Sequence, residues 1–117
     1  MTTNEKLWQL VKRLHQKTIE GTVPWEVSFK ATYLAAFPKY GVRVSEIVKE
    51  DSLDYVIELL DENGRVIESA SDADLRDVAA PGESYPVMKE LFVMARRRAL
   101  GVDEALDDLL SSLDESS

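Results

Sequence analysis

Cysteine is absent from the 117-residue chain, and histidine occurs once, at His15. The first absence removes disulfide frameworks, zinc knuckles and thiol nucleophiles. The second excludes His-based triads, two-His metal sites and the HExxH motif. Among the tryptophans, tyrosines and leucines there is no apolar run approaching the roughly 20 residues needed to span a bilayer. The N-terminal stretch MTTNEKLWQLVKRLHQK is charged and amphipathic rather than a secretory signal, so a cytoplasmic protein is expected. The five glycines stand singly, at 21, 41, 64, 82 and 101, and form neither GxGxxG nor GxxxxGK. They read as punctuation between elements, and no phosphate-cradling loop is expected.

What remains is a charged, moderately apolar chain. Hydrophobic residues make up 44% and charged residues 31%, the balance of one small globular domain over residues 1–117, with a frayed tail at 114–117. Fourteen basic residues stand against 22 acidic ones, a net charge of −8, which argues against a protein that coats nucleic acid or anionic membranes.

That net charge is a sum of alternating blocks. Residues 1–40 carry +3, residues 41–83 carry −8, residues 84–101 carry +3 and residues 102–117 carry −6. Acidic and basic segments are therefore available to complement one another, within the chain or across a dimer.

Element signals follow the order helix, strands, helix, helix. Thr2-x-x-Glu5 predicts a capping box, followed by Leu7, Val11 and Leu14 on one helix face and a stop at Gly21. Between Thr22 and Phe37 the periodicity fits either a strand or a helix. The expectation is a turn at Pro24, irregular or helical structure after it, and a strand from Thr32 to Phe37. Strands are expected from Val42 to Val48, with a bulge near Ile47, from Leu53 to Leu59, and from Arg65 to Ala70 after the Asn63-Gly64 turn. Pro86 opens a second helix that Gly101 ends, and Asp103 is read as the cap of a third. The resulting fold class is α+β: an N-terminal helix, an antiparallel meander of three to four strands, and two C-terminal helices packed on one face of the sheet.

Candidate functional residues fall into three groups. Arg96, Arg97 and Arg98 form the one basic cluster, joined by Lys12 and Arg13 of the first helix as a site for nucleic acid or a phosphate ligand. Three consecutive helical residues spread over about 200°, so they cannot all face one ligand. Leu106, Leu109, Leu110 and Leu113 make an apolar stripe on a helix too short to persist alone in water, which marks them as an interface. Asp72, Asp74 and Asp77, with Asp54, Glu58 and Glu68, would have to converge for a carboxylate- or metal-dependent hydrolase, but helix capping explains their spacing equally. The expectation is a non-enzymatic, self-associating protein-interaction or regulatory module without a cofactor or metal. Its partner would be another protein or a second copy, and no membrane. Nucleic-acid binding is the alternative and a hydrolase the second.

Overall fold

The computed structural model describes residues 1–115. The elements in order are α1 (Thr3–Ile19), β1 (Glu26–Phe29), β2 (Thr32–Ala36), β3 (Gly41–Val48), β4 (Leu53–Leu60), β5 (Val66–Ser71), α2 (Ser84–Leu100) and α3 (Val102–Glu115). The five strands form one antiparallel sheet in sequence order, so each strand pairs with its neighbour through a short turn. This is the expected α+β class with one strand more than foreseen.

The expected capping box is present at α1: Glu5 N donates to Thr2 Oγ1 at 3.1 Å and Thr2 N donates to Glu5 Oε1 at 3.0 Å. The bond from the Thr2 backbone, and then the Thr2 hydroxyl beside it, hold the Glu5 carboxyl below its ordinary range.

The extra strand is β1, where irregular or helical structure was expected. Pro24 lies just outside it, and Trp25 is buried, its Nε1 donating to Thr18 Oγ1 at 2.9 Å. The chain then reverses at Lys30 and Ala31, with Ala31 at φ 55°, a left-handed turn residue that is not glycine. A second difference concerns bulges. The β3–β4 register runs unbroken from Gly41–Leu60 to Val48–Leu53, and the irregularities fall instead between Val27 and Phe29 and between Leu59 and Leu60.

One face of the sheet carries the core. Tyr33, Val44, Ile57 and Ala70 lie in one cross-strand row, and α2 covers it with Met88, Leu91, Phe92 and Ala95. α1 packs beside α2 and adds Leu7, Trp8, Val11 and Leu14. The opposite face is mixed: Arg43 Nε lies 3.1 Å from Glu58 Oε1 across β3 and β4, and Leu34, Val56 and the buried Leu60 stand on the same side.

At the edge of the core the Tyr55 hydroxyl donates to Glu46 Oε2 at 3.0 Å. Burial, and then the bond to Glu46, push this phenol above its ordinary value of 10.0. The folded state therefore holds the proton more tightly than the unfolded chain. Its contribution is complete below about pH 10 and is lost as pH rises beyond that. The melting temperature of the wild type is expected to fall more steeply above pH 10 than that of Tyr55→Phe; parallel curves would count against this assignment.

α2 and α3 are separated by Gly101 alone. At φ 64° it caps α2, its N–H reaching the Arg97 and Arg98 carbonyls, while its own carbonyl accepts from Ala105 N to start α3. Asp103 accordingly sits inside the first turn of α3 rather than capping it. Of the two C-terminal helices α2 does the core packing; α3 has α2 as its main neighbour and buries none of its residues. α3 runs through Glu115, and the remainder of the tail expected to fray lies outside the described residues.

Candidate interaction surface

α1 and α2 run in the same direction. Lys12 and Arg13 lie beside Glu83 and Val87, His15 Nε2 is 3.0 Å from Glu90 Oε1, and Thr18 and Ile19 lie beside Met94 and Arg97. The basic residues singled out from the sequence are therefore spread along the bundle. Lys12 and Arg13 are level with the start of α2, whereas Arg97 and Arg98 border a recess at its end, where Asp103 and Glu104 of α3 also stand. Arg96, Arg97 and Arg98 are exposed, and among the described residues none forms an ion pair.

The carboxylates do not converge. Asp72 Oδ1 accepts from Tyr55 N at 3.0 Å, and Asp74 Oδ2 from Ser71 N at 2.9 Å. Glu68 takes up Ser69 N, Asp54 holds Lys49 Nζ at 2.7 Å, Glu58 pairs with Arg43, and Asp77 is exposed. Among the described residues no cluster of three or more such side chains is placed to hold a metal ion.

The leucine stripe lies open. Leu106 is 51% exposed, Leu109 and Leu110 are each 59% exposed, and Leu113 is 67% exposed. At about 100° per residue, Asp103, Asp107 and Asp114 fall within about 40° of one another along one border of the stripe, and Ala105 and Ser112 line the other.

A second apolar surface lies on α1, on the flank turned away from α2. Leu10, Leu14, Val23 and Phe37 line one recess and Leu7, Leu10, Leu59 and Ile67 the next, so that Leu10 joins them into one groove between α1 and the sheet. Lys6, Arg13 and Lys17 edge it. They too fall within about 40° on the helix. Comparison with protein-family models, with curated proteins and with solved structures gives no match. The surface must therefore be read from its own chemistry.

Of the candidate pair, Lys12 borders the α2 side alone, whereas Arg13 stands on the ridge between the α2-side recess and the groove and lines both. Lys6 and Lys17, missed because they are not adjacent in sequence, complete Arg13's row; their spacing beside Leu10 and Leu14 is the signal that groups them. Among the described residues no helix is long and apolar enough to cross a membrane.

Proposed function

We propose that this chain is a non-enzymatic, self-associating protein-interaction module of the cytoplasm, with regulation of its partner as its role and the leucine face of α3 as its contact surface. The observation that carries this reading is that a 14-residue amphipathic helix buries none of its residues against its own domain. A helix of that length gains too little from its own hydrogen bonds to hold four leucines in water, and an apolar surface of this kind is completed by another protein. The engagement of Asp72, Asp74 and Glu68 with backbone amides supports a role without catalysis.

Light scattering coupled to size exclusion tests this. The wild type is expected above the monomer mass of 13.2 kDa, and Leu106→Glu/Leu110→Glu at the monomer mass with an unchanged core, since neither side chain belongs to it. A wild-type monomer that also gives no crosslink to any protein in cells from a photoreactive residue at position 109 overturns the reading.

Binding of nucleic acid or phosphate through Arg96, Arg97 and Arg98 is the second reading, motivated by their exposure without ion pairs. Asp103 and Glu104 in the same recess oppose it, and the expectation is no mobility shift of RNA or DNA even at about 50 mM salt, where phosphate contacts are strong.

A further inference from the structure

We propose that the groove along α1 is the seat of α3 from a second copy of this chain, so that two copies exchange their C-terminal helices. This rests on the reading of α3 as a contact surface and names what that surface contacts.

The two surfaces match in size, polarity and charge. The groove is bordered by Lys6, Arg13 and Lys17, and the stripe by Asp103, Asp107 and Asp114. Each row holds three charges over eleven residue steps, about 16 Å at the helical rise. Leu106, Leu109, Leu110 and Leu113 then meet Leu10, Phe37 and Ile67, and the acidic border lies along the basic rim. The neutral border, Ala105 and Ser112, is left for the rim formed by β5, where Glu68 stands. Pairing of two α3 helices with each other is disfavoured, because α3 carries six acidic residues and no basic one.

The occupant comes from another copy because the chain's own α3 lines neither recess of the groove and buries none of its residues. The groove lies on α1 about 140° around from His15, which faces α2. Packed helices are about 8–10 Å apart, and the far flank of α1 lies beyond that. α3 starts in the recess at the end of α1, where Asp103 and Glu104 stand near Thr18, Ile19 and Gly21, and from there it leaves its four leucines exposed rather than laid in its own groove. Since one chain bears both the helix and the groove, two copies related by a two-fold axis satisfy both seats and close the assembly.

Charge exchange tests the assignment. The wild type is expected at twice the chain mass in light scattering at low salt. Arg13→Glu/Lys17→Glu and Asp103→Lys/Asp107→Lys are each expected to raise the dimer dissociation constant at least about tenfold. An equimolar mixture of the two variants is expected to regain the dimer mass as a one-to-one heterodimer, since each exchanged helix then meets a groove of opposite charge. The mixture also controls for misfolding, because an unfolded variant restores nothing. A wild-type monomer overturns the proposal, as does a mixture that stays monomeric. If the charge variants remain dimeric while Leu106→Glu/Leu110→Glu dissociates, the proposed seat is wrong and α3 remains the contact surface.

Discussion

Ile57→Ala is expected to remove about 3 kcal/mol of folding stability, a large share of the roughly 5–15 kcal/mol that holds a small domain folded. Ile57 is 0% exposed in the middle of β4 and has Val44 on one side and Ala70 on the other in the sheet register. Truncation removes three carbons from a site whose walls are strands paired on both sides. Those walls cannot move inward without breaking ladders, so a cavity remains and adds to the lost transfer energy. The adjacent residue supplies the contrast. Val56 points to the face away from α1 and α2 and is half-buried, so Val56→Ala is expected to cost less than about 1 kcal/mol. Urea denaturation should show a large fall in midpoint for Ile57→Ala at an unchanged slope, and little movement for Val56→Ala. Equal shifts for the two variants would contradict the one-sided core.

Much of this fold is legible in the sequence because its central strands bury one face. Val42 and Val44, then Tyr55 and Ile57, alternate with outward residues, and the Asn63-Gly64 turn places Gly64 at φ 82°. The first hairpin escapes that logic. Val27 and Phe29 of β1 are exposed despite being apolar, so alternation there does not report burial, and the turn uses Ala31 at positive φ where glycine would have signalled it. For the candidate surface, the stripe on α3 is readable from helical spacing alone. The basic row on α1 is not readable as a charge cluster, because Lys6, Arg13 and Lys17 become neighbours only on a helix whose groove-facing flank is known. Adjacent charges mislead in the same way: Lys12 and Arg13 share the recess beside α2, but only Arg13 also reaches the groove.

The Asp72 carboxylate shows how a residue that resembles a catalytic acid can be part of the scaffold, and Asp72→Ala is expected to cost about 2 kcal/mol. β4 and β5 pair as far as Val56 and Ser71, after which the chain turns away, with Leu75 N donating to Ser71 O at 3.2 Å. The next ladder position keeps one backbone bond, from Asp72 N to Tyr55 O at 2.9 Å. Its reciprocal bond is made by the side chain: Tyr55 N donates to Asp72 Oδ1 at 3.0 Å, the carboxylate standing in for a backbone carbonyl. Asp72 is 7% exposed, so alanine leaves the Tyr55 amide without a partner where water replaces it poorly. Asparagine retains an oxygen at the same reach, and Asp72→Asn is expected to recover more than half of the loss. Hydrogen exchange should show the Tyr55 amide protected in the wild type and Asp72→Asn, and exposed in Asp72→Ala. If asparagine destabilises as much as alanine, the charge of Asp72 rather than its place in the ladder is what the fold requires.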